Sequence, residues 1–385
     1  MNFDLIFAII FYAILLIFYF RNKNKFEVHA KIFALYRTKL GLKLMDKFAK
    51  KFPKTLNFLG HVGIIFGFIG MVFIIYILFK GAYDLIFVPG AAPALAPVLP
   101  GITIPGLPKL SFWHWIIAIF IVAVIHEFSH GVLARLYKIN IKSSGFAFFG
   151  PILAAFVEPD ENQMKKRKKN HQLAIISAGP FANAILALLI LLFFNFIFLP
   201  FENNFIEPNG VMIVKIELEG PAFKAGLTEN TIIKEINNNV IKNQQDLFNI
   251  LKDFKQDTLT LVTDKGDYEV KPDFKDNRAY LGVSITNLPG VKENYPSSLL
   301  QIFTWFNMLF FWLWVISLGI GLFNLLPFGP IDGGRMFQIA AFSLFEKKKA
   351  NNLFKTITLI MLVLIIINLS PYLIKLFSSI FSLFS

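Results

Sequence analysis

The sequence predicts a polytopic α-helical membrane protein of about six transmembrane helices, with one small α+β soluble domain inserted between them. Apolar residues make up 55% of the 385 residues, and the charged residues fall in clumps between long apolar runs. Six of these runs are long enough for a helix to cross the hydrocarbon core, which takes roughly 20 residues. They cover residues 3–20, 57–79, 113–137, 172–199, 299–326 and 354–379.

The net charge of +13 and the absence of cysteine narrow the functional classes. Basic residues crowd the predicted membrane edges, where positive charge sets orientation, so the charge indicates topology in a lipid bilayer and no nucleic-acid partner. Without cysteine, disulfides, thiolate zinc sites and iron–sulfur clusters are excluded. Any metal must therefore be held by nitrogen and oxygen ligands.

The N-terminal region, residues 1–56, combines the first apolar run with a basic segment. The run lacks the basic start and cleavage site of a signal peptide, so we keep it as a signal anchor or true span. Basic residues fill 21–55, which places this segment in the cytoplasm and the N-terminus outside. Apolar residues recur there at near-helical spacing, which predicts a helix on the membrane surface; an ordinary solvated connector is the alternative. They are Phe33, Leu40, Leu44, Phe48 and Phe52.

The next region, residues 57–206, begins with the second span and a proline-rich outside segment over 81–111. Six prolines prevent a regular helix there. Because the segment is almost free of charge, we expect it to be tucked into the bundle or its outer rim, where it could cap a site from outside.

The third span carries His126-Glu127-Phe128-Ser129-His130. Residues four apart share a helix face, so both imidazoles can close on one metal while Glu127 reaches a water, as in the H-E-x-x-H zinc-hydrolase signature. The alternative is a pair of interhelical hydrogen-bonding histidines with a paired glutamate. Ionisable groups in a spanning helix are costly unless they face the bundle interior and have a function, which favours the metal site. Its depth is inside the bilayer and nearer the cytoplasmic side.

Two further stretches of this region flank the predicted site. Residues 145–156 are apolar, too short to span and broken by Gly150-Pro151, which predicts a hairpin that dips in from the cytoplasmic side and offers an open strand edge. A hydrophobic surface loop is the alternative. The fourth span opens with small residues and Asn183, which would be costly facing lipid and is expected to line the site, in contact with substrate, or to join helices.

Residues 207–290 have the character of a soluble domain. Short β-type runs occur at 211–216, 232–236, 259–262 and 280–285, with a helical stretch near 244–254. The run Gly220-Pro-Ala-Phe-Lys-Ala-Gly226-Leu, followed by Ile232-Ile-Lys-Glu-Ile-Asn237, resembles a PDZ domain, which binds extended peptide at a sheet edge. By the alternation of spans, this domain lies outside.

The last region, residues 291–385, contributes a third ligand. Prolines and glycines stop the fifth span, so Asp332 is expected on unwound backbone at the depth of the histidines. His126, His130 and Asp332 would supply three zinc ligands and leave the fourth position for water, while Glu127 acts as acid and base. Asn324 would hold the substrate strand or oxyanion, or would cap the broken helix. A final span then places the C-terminus outside.

Together these motifs resemble the site-2 proteases, which are intramembrane zinc metalloproteases. The resemblance rests on His126-Glu127-x-x-His130, Gly179-Pro180-x-x-Asn183, the PDZ-like insert and Asn324-x-x-Pro327-x-x-x-x-Asp332-Gly333, in the family's order. It implies one zinc ion and cleavage of single-pass transmembrane substrates in regulated intramembrane proteolysis. It also implies that the PDZ-like domain filters substrates by size or by an already cleaved peptide end. Two spans and the proline-rich segment before the catalytic helix depart from the motifs of the family core.

Two other functional classes stay open at this point. Intramembrane histidine and aspartate on broken helices also serve metal transport. A non-catalytic PDZ receptor is the second alternative. Glu127 beside the first histidine, together with a peptide-binding insert, favours the protease.

Overall fold

The computed structural model describes residues 3–29, 33–149, 152–275 and 278–381. The described residues form two compact units. The first comprises residues 1–192 and 308–385, and the second comprises residues 193–307. Each unit has a buried core of its own.

Six helices in the described part of the chain are long and apolar enough to cross a membrane, as the sequence predicts. Of the other helices, one continues the fourth span to Glu202, four are short, and one follows the break after the fifth span. In chain order the helices are α1 (Phe3–Arg21), α2 (Leu42–Lys51), α3 (Pro53–Phe87), α4 (Phe112–Leu136), α5 (Glu161–Lys165), α6 (Lys169–Phe193), α7 (Leu199–Glu202), α8 (Pro221–Lys224), α9 (Gln244–Asp253), α10 (Ser298–Phe323), α11 (Asp332–Leu344) and α12 (Lys347–Phe381).

The strands form one sheet in the first unit and two in the second. In chain order they are β1 (Phe26–His29), β2 (Phe33–Thr38), β3 (Ile141–Phe149), β4 (Ile152–Pro159), β5 (Ile206–Ile216), β6 (Ile232–Ile236), β7 (Asn239–Val240), β8 (Leu259–Thr263), β9 (Gly266–Val270), β10 (Asp273–Lys275), β11 (Arg278–Tyr280) and β12 (Val283–Val291).

The basic segment after α1 differs from the prediction of one surface helix over residues 33–52. It contains strand β2 followed by the shorter helix α2, because β2 pairs antiparallel with β3, with Arg37 opposite Gly145. This pairing supplies hydrogen-bond partners for backbone groups of the hairpin, which a helix could not do. Helix α2 keeps the predicted amphipathic character and buries Met45 and Ala49.

The predicted hairpin over residues 145–156 is present as β3 and β4, with Gly145 paired to Phe156. Its predicted turn, Gly150-Pro151, lies outside the described residues. The sheet has the order β1-β2-β3-β4, so within the described part of the chain β4 has a strand partner on one side only. The free edge of β4 is the edge that the sequence predicts for a substrate.

The two spans before α4 contact the rest of the first unit to different extents, since none of the first span is buried and a third of the second is. Asp4 of α1 accepts a hydrogen bond from the backbone N–H of Phe112, at 2.7 Å, and so satisfies a donor at the start of α4. Helix α3 buries a row of glycines, among them Gly67 and Gly70. A Cβ at Gly67 would meet Met336, so the absence of a side chain allows the close approach of the two helices.

The proline-rich segment is shorter than predicted, because α3 continues to Phe87 and only residues 88–111 are irregular. Its apolar side chains pack against the bundle, and Leu110 is buried. The indole Nε1 of Trp115 donates to the Val98 carbonyl at 2.9 Å. The expectation that this segment is tucked against the helices is confirmed.

The second unit is an antiparallel sheet of order β12-β5-β6-β8-β9 with helix α9 packed on its core. Asn243 and Asp246 form a reciprocal capping box at the start of α9, which explains why the helix begins at Gln244. The predicted strand over residues 280–285 is interrupted: β11 ends at Tyr280 and β12 begins at Val283. Gly282 turns the chain between them with φ +70°.

Candidate active site and metal centre

Three predicted ligands converge in the first unit from two distant parts of the chain. Helix α4 presents His126 and His130 on one face, with ring centroids 4.8 Å apart. Asp332 Oδ2 lies 3.1 Å from His126 Nε2 and 3.4 Å from His130 Nε2. All three side chains are mostly buried, so the structure brings together two imidazole nitrogens and one carboxylate oxygen.

The chain reversal after α10 places Asp332. Gly329 has φ +46°, and the backbone N–H of Gly333 donates to the Asn324 carbonyl at 2.6 Å. A Cβ at Gly333 would meet the Leu325 carbonyl, so only glycine allows this reversal. Asp332 is predicted on unwound backbone; it is instead the first residue of α11, directly after the irregular stretch.

Both histidines are held by their Nδ1 atoms, which leaves each Nε2 facing Asp332. His130 Nδ1 donates to the Ile175 carbonyl of α6 at 2.7 Å. His126 Nδ1 lies 3.1 Å from the amide Nδ2 of Asn183, whose Oδ1 is buried and without a hydrogen-bond partner among the described residues. A half-turn of this amide would let Oδ1 accept from Nδ1–H, which satisfies both groups. Asn183 thus lies at a helix contact beside His126, and its side chain is fully buried.

The ligand set fits a zinc ion. Zinc accepts histidine nitrogen and carboxylate oxygen, and three protein ligands leave one position open. Metal-binding histidines commonly donate their other ring nitrogen to a carbonyl or amide. His130 donates to a carbonyl in this way, and the buried Oδ1 of Asn183 permits the same for His126. The absence of a side chain at Gly179 leaves space beside the two histidine rings, because a Cβ there would meet the Nε2 atoms of both.

Glu127 lies beside the ligands and contacts the sheet. One carboxylate oxygen of Glu127 and one ring nitrogen each of His126 and His130 lie within 4.8 Å of one another. Its Oε2 accepts a hydrogen bond from the backbone N–H of Val157 in β4, at 3.0 Å. Since this N–H points to Glu127 and not to β3, it belongs to the free edge of the sheet.

Two cavities meet at Glu127. A cavity of about 350 Å³ contains the three ligands and is also lined by Asn324 and Arg335. A second cavity of about 230 Å³ is lined mostly by apolar residues of α4, β3 and β4, together with Leu40, Gly41 and Met45 at the start of α2. Glu127, Phe156 and Val157 line both. An apolar space along β4 therefore adjoins the ligand cavity.

Asn324 lines the cavity that contains His126, His130 and Asp332, and its side chain has a backbone partner. Its Nδ2 donates to the Ile320 carbonyl at 3.1 Å, which is the capping contact that the sequence left as an alternative to substrate binding. The remaining histidines with described side chains have other neighbours: His61 faces the Asn57 carbonyl, His114 faces Ser111, and His171 stacks on Tyr137.

Sequence reasoning missed the groups that act through the backbone or through the absence of a side chain. Val157 and Ile175 contribute only main-chain atoms, which carry no signature of side-chain chemistry. The sequence marked Gly179 only as a small residue at the start of the fourth span and as part of a motif, and its proximity to the two ring nitrogens could not be predicted.

Comparisons with known proteins identify the family of the chain. The sequence model of Peptidase family M50 matches residues 114–368, about two thirds of the chain. Uncharacterized protein MJ0971 of Methanocaldococcus jannaschii is 30% identical over 351 residues, which cover 89% of this chain and 87% of that protein. Probable protease eep of Enterococcus faecalis is 25% identical over 225 residues, which cover 47% of this chain and 52% of that protein. The chain therefore belongs to Peptidase family M50, the site-2 protease family, and is a membrane protease of that kind.

Proposed function

We propose that this protein is a zinc-dependent intramembrane protease that cleaves transmembrane segments of single-pass membrane proteins, as in regulated intramembrane proteolysis. One observation carries the proposal. His126, His130 and Asp332 converge beside Glu127 within a bundle of helices long and apolar enough to span a membrane. Such a costly cluster at membrane depth is expected only where it performs chemistry.

His126 Nε2, His130 Nε2 and Asp332 Oδ2 would hold the ion. When bound, zinc would supply Lewis acidity that activates water near neutral pH and polarises a peptide carbonyl. Glu127 Oε2 would accept the proton of the attacking water and return it to the leaving amine. The contacts of His130 with Ile175 and of His126 with Asn183 would fix the two ring orientations during turnover.

The substrate would enter as an extended strand along β4. Alternate residues of a strand direct their backbone groups to the same edge, so Leu153, Ala155 and Val157 face the free edge of the sheet. The adjoining apolar cavity suits side chains taken from a transmembrane segment. Strand addition would keep the scissile bond extended next to Glu127. Asn324, at the cavity wall, would contact the substrate through Oδ1 or its second Nδ2–H while keeping its capping bond.

The second unit would bind peptide ends, as its PDZ-like sequence suggests. A groove of about 580 Å³ lies between α9 and residues 278–285 and is bordered by the outer strand β12. Lys252, Lys275 and Arg278 line it, and no acidic side chain does so in the described part of the chain. Gln244 Nε2 donates to the Ile285 carbonyl and closes one end of the strand edge. These features support binding of a short chain end with its carboxylate at the basic side.

The basic residues support an orientation with both termini and residues 207–290 outside, and with the zinc site nearer the cytoplasm. The chain has no cysteine, so single cysteines at Asn209 and Lys348 would be the only thiols in their variants. An impermeant thiol reagent applied to intact cells should label Asn209→Cys and spare Lys348→Cys. The reverse pattern would overturn this topology.

The activity is tested with purified full-length protein in detergent and a model transmembrane substrate, with products mapped by mass spectrometry. Wild type should cut within the hydrophobic stretch. Glu127→Gln should abolish cleavage and keep bound zinc, and a chelator should abolish both. Glu346→Gln, the same change at an exposed site, should have no effect. Zinc binding without cleavage by wild type would contradict the protease, and zinc flux into vesicles would then identify a transporter.

A further inference from the structure

The sheet beside the active site is built from two distant parts of the chain. Strands β3 and β4 lie within the family match, which begins at residue 114, whereas β1 and β2 precede it. Strand β2 pairs with β3 along six residues, from Phe33 opposite Phe149 to Thr38 opposite Ser144. The N-terminal region therefore completes a sheet whose other outer strand, β4, reaches Glu127.

One side chain, Arg37 of β2, links all four strands. Its Nε donates to Glu27 of β1 at 2.9 Å, and its Nη1 donates to Ser143 of β3 at 2.6 Å. Nη1 also donates to Glu158 Oε2 of β4, and Ser143 Oγ donates to the same oxygen at 2.9 Å. Burial raises the pKa of the Glu158 carboxyl, but the hydrogen bonds from Arg37 and Ser143 outweigh it and leave the pKa below its ordinary value. Glu158 is thus held as a carboxylate between two donors.

Glu158 is next in sequence to Val157, whose N–H contacts Glu127. Adjacent residues of a strand point to opposite faces and share one peptide unit, so holding the Glu158 side chain limits the tilt and register of β4. The Val157 N–H in turn sets the direction of the Glu127 carboxylate. A continuous path of contacts therefore runs from Arg37 through Glu158 and Val157 to the catalytic base.

The Arg37–Glu158 ion pair contributes little to the stability of the fold, so a role in positioning β4 can be told apart from a role in stability. Side-chain exposures of 34% for Arg37 and 36% for Glu158 make this a partly exposed ion pair, a kind that contributes about 0–1 kcal/mol to folding. The first unit has extensive buried cores apart from this pair. Loss of the pair should therefore leave the fold intact, whereas catalysis responds strongly to small displacements of a catalytic group.

We propose that Arg37 is a positioning residue of the proteolytic site, through which the N-terminal strands hold β4, by Glu158, in register with Glu127. The inference rests on the proposed proteolytic function. It makes the region before the family match part of the catalytic apparatus, because β4 is both the predicted substrate edge and the partner of the base.

The test uses full-length protein in detergent and compares Arg37→Gln with the matched variant Glu27→Gln, which neutralises the Arg37 partner on β1 and leaves Glu158 in place. We measure kcat and KM for a transmembrane substrate, bound zinc, thermal unfolding and hydrogen exchange over residues 153–159. Arg37→Gln should lower kcat/KM about tenfold and speed exchange in β4, with zinc content and Tm close to wild type. Glu27→Gln should change kcat/KM less than twofold. The exchanged pair Arg37→Glu with Glu158→Arg should recover activity over Arg37→Glu alone.

Wild-type kcat/KM and unchanged β4 exchange in Arg37→Gln would overturn the inference and leave the protease proposal standing. Parallel loss of activity, zinc and Tm would also overturn it, because that pattern marks a purely structural role. If wild type cleaves no substrate, the protease proposal fails. The exchange measurement then still decides whether Arg37 holds β4.

Discussion

Gly179 offers a sharp test of the proposed metal centre, because the two histidines leave no room there for a side chain. A Cβ at Gly179 would fall against Nε2 of both His126 and His130. These nitrogens are at the ends of side chains, so the fold itself can adjust. The rings cannot turn aside without breaking the Nδ1 contacts to Ile175 and Asn183. Gly179→Ala should therefore damage metal binding far more than folding.

The expected loss of zinc affinity in Gly179→Ala follows from these contacts. Loss of one supporting contact to a metal ligand typically lowers metal affinity 10–100-fold. Gly179→Ala disturbs two ligands and also fills space between them, so we expect at least about 100-fold weaker zinc binding. That loss corresponds to about 2.8 kcal/mol, since each factor of ten is about 1.4 kcal/mol.

The assay is chelator competition for zinc with the purified protein, alongside thermal unfolding and cleavage of a transmembrane substrate. Gly319→Ala is the matched control, because Gly319 lies in apolar helix α10 and a Cβ there meets nothing within 4 Å. The control should bind zinc and cleave like wild type. Wild-type zinc affinity in Gly179→Ala would refute the assignment of Gly179 to the metal centre.

Three further predictions concern the surroundings of the site and the second unit. Asn183→Ala should weaken zinc binding about tenfold, because His126 Nδ1 loses its partner. Chelator competition should show a smaller change in zinc affinity for Asn324→Ala. Equal changes in the two variants would contradict a role of Asn183 in orienting His126. Because the pKa of Glu158 is lowered in the folded protein, its contribution to stability is present above its unfolded pKa and is lost as pH falls through the folded value. Tm of wild type should therefore fall more than Tm of Arg37→Gln on acidification below about pH 4.5. Parallel curves of Tm against pH for the two proteins would disprove that Arg37 stabilises the Glu158 carboxylate. Arg278→Ala should weaken binding of a fluorescent peptide with a free carboxylate. A peptide with an amidated end should bind weakly to both wild type and Arg278→Ala. Equal binding of the two peptides by wild type would exclude carboxylate recognition.

The membrane architecture could be predicted because it depends on local composition. A helix that crosses the hydrocarbon core needs a long apolar run, and all six predicted runs are helices in the structure. The surface helix predicted over residues 33–52 was partly wrong. Strand β2 is stabilised by pairing with β3, more than 100 residues away, and helical spacing within the segment contains no information about that partner.

The sequence by itself determined the pair of histidines and Glu127, because residues four apart on one helix must share a face. It also pointed to Asp332, through the prolines and glycines that end the preceding helix. Tertiary structure alone decided what surrounds them: the Val157 N–H on Glu127, the Ile175 carbonyl on His130, the space at Gly179 and the Arg37–Glu158 link. These contacts join backbone atoms or residues far apart in the chain. They exist only once the helices and the sheet have packed, because neither a main-chain group nor an empty volume has a signature in a single sequence.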